Sequence, residues 1–183
     1  MIPLIAHTPH LLLVAASRAL CTAELLKPRY FPVLLGAALP TDWPLATYGP
    51  AAMEEQLALL TAGGRTAAGW HGWYALRKAD DAAPRTLVGM GGFLGPPDAA
   101  DRAEINFAVA ADWQGRGLGA ELVAGLVQQA AATGMVRQLV AQPAPDNLAA
   151  QRVLLRNGFG TVDPTAAGRL RYERTVEPSG AGV

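Results

Sequence analysis

The stretch Gln114-Gly115-Arg116-Gly117-Leu118-Gly119 places three glycines and an arginine directly ahead of helix-forming residues that run to Ala132. The first N–H groups of a helix have no intrahelical partner, and the aligned peptide dipoles leave about half a positive charge at that end. Glycine at Gly117 and Gly119 removes side chains that would keep a phosphate from those N–H groups, and Arg116 adds a full positive charge nearby. Taken alone, the pattern fits an anion cradle or a tight strand-to-helix turn, and turns are the commoner use. Spacing removes two nucleotide sites. There is no Gly-Lys-Ser/Thr ending, the glycines fall at every second position rather than at dinucleotide spacing, and the next strand carries no acidic residue to take a ribose.

A second set of chemistry-bearing residues lies just upstream. Ala103 to Ala110 alternates, with Ile105, Phe107 and Val109 on one face and Glu104 and Asn106 on the other. A strand carboxylate of this kind can take a proton directly or through one water, or simply bind a substrate or face solvent. His7, His10 and His71 lack the spacing of a metal site or a triad, and Cys21 sits in a helical stretch with no local histidine. No metal is expected.

The elements that must hold these residues alternate between strands and helices. Pro9 to Ser17 reads as a strand, Arg18 to Leu26 as a helix stopped at Lys27-Pro28, and Tyr30 to Ala37 as a short helix. Leu39 to Pro44 is a proline-bracketed loop, and Ala51 to Thr61 is a helix closed by Gly63-Gly64. The stretches Gly69 to Lys78 and Arg85 to Gly95 read as a hairpin across a polar turn. After the strand 103–110 come a helix from about Gly117 to Ala132, a strand Val136 to Gln142 and a helix Asn147 to Arg156. Two closing strands are expected at Phe159 to Val162 and Arg169 to Val176.

Composition sets the outer bounds. A chain of 183 residues with no repeat or linker is expected to form one domain, with its core over 9–176 and a flexible tail over 177–183. Fifteen basic and fifteen acidic side chains cancel, which leaves no basic field to draw it onto nucleic acid or an anionic membrane. A small molecule or a peptide is the expected substrate. The single cysteine fits a reducing compartment, and the N-terminal apolar run lacks the flanks of a secretory signal, so the expected location is the cytoplasm.

With these residues in view, the chain resembles the GNAT family of acyl-CoA-dependent N-acetyltransferases. Gln114 to Gly119 matches the family's Gln/Arg-x-x-Gly-x-Gly/Ala signature, and Asp146 to Phe159 resembles its later Asn-x-x-Ala/Ser helix ending in Gly-Phe. The segments "LPTDWP", "LVGMGGFLGPPD" and "EINFAV" look like the branch related to ribosomal-protein N-terminal acetyltransferases. The resemblance implies an α/β (α+β) fold. Its central sheet would be mixed, mostly antiparallel and twisted, with six to seven strands flanked by helices and splayed fourth and fifth strands, here 103–110 and 136–142.

It also implies acetyl-CoA as co-substrate and an amine acceptor. Residues Gln114, Gly115, Arg116, Gly117, Leu118, Gly119 and Ala120 would hold the pyrophosphate, and the backbone of Phe107, Ala108 and Val109 would pair with the pantetheine arm. Asn147 would reach the cofactor, cap the helix behind it, or do both, and Arg152 would meet a phosphate or only solvent. Glu104 is the expected base, Asn106 the residue that positions the amine, and the N–H of Val109 the oxyanion donor. The family's acid tyrosine corresponds to Leu154 and the branch's serine to Ala150, so the proton donor to the thiolate is missing, with water or Tyr172 as substitutes. The first two helices, the Leu39 to Pro44 loop and the last strands would wall the acceptor pocket. Trp43, Trp70, Trp73 and Tyr74 would be either wall or core. A monomer or homodimer is expected. An acyl-CoA-binding sensor or partner module with little catalysis is the alternative.

Overall fold

The computed structural model describes residues 4–81, 83–162 and 170–177. The strands are β1 (Ile5–His7), β2 (Leu11–Ala15), β3 (Gly72–Arg77), β4 (Thr86–Phe93), β5 (Arg102–Val109), β6 (Gln138–Ala141), β7 (Gly160–Val162) and β8 (Arg171–Thr175). They form one eight-stranded sheet in the order β1-β2-β3-β4-β5-β6-β8-β7. The helices are α1 (Arg18–Leu26), α2 (Phe31–Leu35), α3 (Pro50–Ala67), α4 (Leu118–Thr133) and α5 (Leu148–Arg156). Every pairing is antiparallel except β5 with β6, whose parallel run needs a crossover that α4 supplies.

Period-two alternation assigns each strand face to a layer. Leu11, Leu13, Trp73, Ala75, Val88, Ala103 and Ile105 pack with Leu122, Val123 and Leu126 of α4. On the opposite face Tyr74, Leu76 and Leu87 pack with Leu20 and Cys21 of α1, Phe31 of α2 and Leu60 of α3. The central strands are therefore covered on both faces, which is why β4 is buried along nearly its whole length.

One expectation is corrected. The sheet has eight strands rather than six or seven, because Ile5 to His7 pairs with Leu12 to Val14. Three residues are too few to display an alternation, so only the neighbouring strand reveals this one. Helix α3 is interrupted at Gly64, whose φ of 53° and ψ of −132° are non-helical, so the expected closure at Gly63-Gly64 falls at this kink and a short further helical stretch runs on to Ala67. The closing strand runs over Arg171–Thr175. The expected start at Arg169 and the tail beyond Glu177 lie outside the described residues.

The feature that makes the site is the parting of β5 from β6. Their register pairs Arg102 with Gln138, Ala103 with Leu139 and Glu104 with Val140, and goes no further. Strand β5 continues to Val109 against β4 alone. Beside this free length the β4 backbone comes so close that a Cβ at Gly89 would lie 2.4 Å from the Ala108 carbonyl oxygen.

Candidate active site

Antiparallel ladders use alternate residues, so the direction of each main-chain group on β5 follows from two bonds. Leu94 N–H donates to the Glu104 carbonyl at 2.9 Å, and Ala110 N–H donates to the Val88 carbonyl at 2.9 Å. With an unbroken register between them, Glu104, Asn106, Ala108 and Ala110 turn their amides toward β4. The main-chain groups of Ile105, Phe107 and Val109 face the opening left by β6. Of the three backbone positions expected to pair with the pantetheine arm, Phe107 and Val109 thus present theirs to the gap and Ala108 does not. Gln114 donates from Nε2 to the Val109 carbonyl at 2.9 Å, which holds the exit of β5 to the glycine stretch.

Two concavities meet at this gap. A groove of about 630 Å³ runs between the ends of β5, α4 and α5 and is lined by Val109, Gly115, Gly117, Leu118, Gly119, Ala120 and Arg152. Gln114 lines it too. A cavity of about 580 Å³ lies on the far side, with Glu104, Asn106, His71, Gln56 and Gln142 in its wall. Phe107, Ala108, Asn147 and Ala150 line both.

The groove floor is the start of α4. Its N-cap, Gly117, has φ 82°, a left-handed conformation that disfavours any side chain. Gly119 is different. Its φ lies outside the left-handed region, and a Cβ there would make only ordinary 3.5 Å contacts with Val109 Cγ2 and Val153 Cγ2. Neither backbone nor packing demands glycine at 119, whereas a ligand lying along the groove would. Arg116 does not line the groove, and its guanidinium stacks 4.8 Å above the Trp113 ring.

The α4 terminus is pinned on both flanks. Glu121 accepts from Thr8 Oγ1 at 2.5 Å, His10 N at 2.6 Å and Leu11 N at 3.0 Å, and its other oxygen lies 2.9 Å from His10 Nδ1. Burial pushes the Glu121 carboxyl up, but the bonds from Thr8, His10 and Leu11 outweigh it and hold the group below its ordinary value. On the other flank Asn157 donates from Nδ2 to the Ala120 carbonyl at 3.1 Å, tying α5 to the first turn of α4. The Leu39 to Pro44 loop is anchored too, since Asp42 Oδ2 accepts from Ala111 N at 2.9 Å.

Asn147 caps α5 by accepting from Ala150 N at 3.0 Å, so its capping role is realised at a position that also lines both concavities. Glu104 accepts from Gln142 Nε2 at 3.2 Å on each of its oxygens, across the gap between β5 and β6. Gln142 is a partner that sequence reasoning missed, although its place at the end of the strand after α4 is where a cross-gap contact has to come from. Arg156 in the groove and Glu55 in the cavity wall were missed as well, because a charged residue on a helix face looks the same in sequence whether it borders a pocket or bulk water.

Leu154 is fully buried and Ala150 has no hydroxyl. Tyr172 is buried and donates to Gln151 Oε1 at 3.3 Å, and it borders neither concavity. Trp70, Trp73 and Tyr74 are core, and Trp43 donates from Nε1 to Glu24 at 2.9 Å, so none of the four walls the cavity. Cys21 is buried beside Tyr74 and Gln56, and burial pushes its thiol up. Among the described residues no group of histidine, cysteine, aspartate and glutamate could hold a metal ion, and no helix is long and apolar enough to cross a membrane.

The sequence matches the family described as "Acetyltransferase (GNAT) domain" over residues 30–160. Among solved structures, RimL, the ribosomal L7/L12 alpha-N-protein acetyltransferase in complex with coenzyme A, is similar with a TM-score of 0.66 and 17% identity, over 97% of this chain and 99% of that one. RimJ of Mycobacterium smegmatis, in complex with CoA-disulfide, gives 0.62 and 15%, over 90% and 81%. The microcin C7 self-immunity acetyltransferase MccE, in complex with acetyl-CoA and AMP, gives 0.60 and 15%, over 92% and 94%. At these identities the likeness speaks to fold. No curated protein sequence matches the chain.

Proposed function

The chain belongs to the GNAT acetyltransferase family, and from that premise we propose that it moves an acetyl group from acetyl-CoA to a primary amine by direct attack in a ternary complex. The observation that carries this reading is the meeting of groove and cavity at Phe107, Ala108, Asn147 and Ala150, beside the free length of β5. Two reactants entering from opposite sides would come together there, and holding them so converts a bimolecular encounter into a local one.

In this reading the groove takes the coenzyme. The N-terminal amides of α4, opened by Gly117 and Gly119, accept the pyrophosphate, with Arg152 and Arg156 adding charge along the wall. The main-chain groups of Phe107 and Val109 hold the pantetheine arm as a partial extra strand. Acetyl-CoA supplies an activated acyl carbon, on which the C–N bond forms as the C–S bond breaks. Glu104 takes one proton from the acceptor nitrogen, directly or through one water, the second proton lost between ammonium and amide passes to the thiolate or to solvent, and Asn106 orients the amine. Val109 N–H donates to the carbonyl oxygen as negative charge grows on it. Leu154 and Ala150 offer no hydroxyl to the thiolate, which is a workable leaving group without one.

The test begins with thermal unfolding in acetyl-CoA, CoA and ATP, where the first two should stabilise and ATP should not. Acetylation of an amine panel, followed by thiol release, comes next. Glu104→Gln should lower turnover by about 10²- to 10⁴-fold with acetyl-CoA binding intact. Binding without turnover on any amine would favour the sensor reading, for which the absence of hydroxyls at 150 and 154 is the one supporting observation.

A further inference from the structure

We propose that the acceptor cavity selects an ammonium group attached to an apolar residue and rejects the same amine when a carboxylate sits beside the nitrogen, as in a free amino acid; this rests on the transferase reading above. The two joined concavities differ in charge. The groove carries Arg152 and Arg156 against a single carboxylate, Asp42, whereas the cavity carries the carboxylates of Glu104 and Glu55. Among the described residues lining the cavity none is lysine or arginine. Burial holds His71 below the ordinary imidazole value, so it is neutral at pH 7 and adds no cation.

An incoming ammonium therefore meets two opposite charges. A carboxylate on the neighbouring carbon would meet like charges and find no cationic partner, and specificity of this kind comes from repulsion as much as attraction. The side group has its own recognition surface. Leu59 of α3 and Leu94, which follows β4, line the cavity yet are 44% and 58% exposed, an apolar pair left uncovered beside a polar wall. The chemistry that fits is a cation flanked by an aliphatic group, which either a small amine or the N-terminal residue of a peptide can provide.

The experiment uses three acceptors with one side chain: L-leucine, L-leucinamide, and the tripeptide Leu-Ala-Ala with an amidated C-terminus. Each is measured by thiol release and, independently of turnover, by calorimetric binding to the CoA-saturated protein. Leucinamide should exceed leucine in kcat/KM and in affinity by roughly tenfold or more, which corresponds to about 1.4 kcal/mol. Glu55→Lys, an exposed helix position, should cut that ratio to about threefold or less without changing acetyl-CoA binding. A tripeptide better than leucinamide supports the proposal with a peptide N-terminus as the source, and one equal or worse supports it with a small amine. Equal treatment of leucine and leucinamide, no binding by any of the three, or a ratio untouched by Glu55→Lys would overturn it. If acetyl-CoA fails to stabilise the protein at all, the transferase reading fails first and this inference falls with it; discrimination lost while acetyl-CoA still binds removes the inference alone.

Discussion

Gly119→Ala separates the demands of folding from those of ligand binding, because the two should move in opposite directions. Gly119 is the second residue of α4, and a methyl there would lie 3.5 Å from both Val109 Cγ2 and Val153 Cγ2, which is ordinary contact. Replacing a helical glycine with alanine where nothing clashes stabilises a protein by about 0.5–1 kcal/mol, chiefly through the unfolded chain. For a chain of this size that is a rise of about 1–4 °C in Tm without ligand. The same methyl projects into the groove between β5 and α5, where overpacking against a bound ligand costs about 1–3 kcal/mol. At a ligand concentration of about a hundred times the wild-type Kd, acetyl-CoA should stabilise the wild type by about 2.7 kcal/mol, and a tenfold loss of affinity would cut that to about 1.4 kcal/mol. Differential scanning fluorimetry of both proteins, with and without acetyl-CoA, reads both quantities. A lower Tm in the ligand-free variant, or an unchanged acetyl-CoA shift, would refute the argument that ligand approach is what requires glycine at 119.

Further perturbations test the scaffold around the site. Gly89→Ala sets a Cβ 2.4 Å from the Ala108 carbonyl oxygen and 3.0 Å from Val109 Cα, so β5 must shift; we expect a loss of about 1–3 kcal/mol in urea unfolding together with weaker acetyl-CoA binding. Glu121 has a folded pKa below its ordinary 4.5, so its contribution to stability is fully present above that value and disappears as pH falls through the folded pKa. Glu121→Gln should therefore flatten the acid limb of the stability curve. Glu24 has the opposite sign. Burial raises its pKa, against bonds from Tyr74 Oη at 2.6 Å, Trp43 Nε1 at 2.9 Å and Tyr48 Oη at 3.3 Å. Its contribution is fully present below 4.5 and is lost as pH rises through the folded pKa, so Glu24→Gln should remove a decline in stability that begins on the alkaline side of 4.5. Denaturant titrations across pH 3 to about 8 would separate the two, and matching pH profiles for wild type and variant would count against either assignment.

The order of elements from β2 to α5 was legible because it is written in local terms. Alternation marks β5, the stripe of Leu118, Leu122 and Leu126 marks α4, and the glycines ahead of that helix mark a helix terminus open to an anion. The family signature lies in the same residues, since a cradle made of main-chain amides depends on where glycine stands rather than on distant partners. What stayed hidden is non-local. Strand β1 exists only because β2 offers it an edge. The cross-gap pair of Glu104 and Gln142 joins residues from two strands that have already parted, and no periodicity within either strand encodes where the parting occurs. The sequence by itself thus determined the chain's family and singled out the glycine loop that we propose holds a phosphate. Tertiary structure alone decided which faces of β5 look into the groove and the cavity, and which charges line each, because side chains far apart in the chain acquire a common environment only when the sheet closes around them.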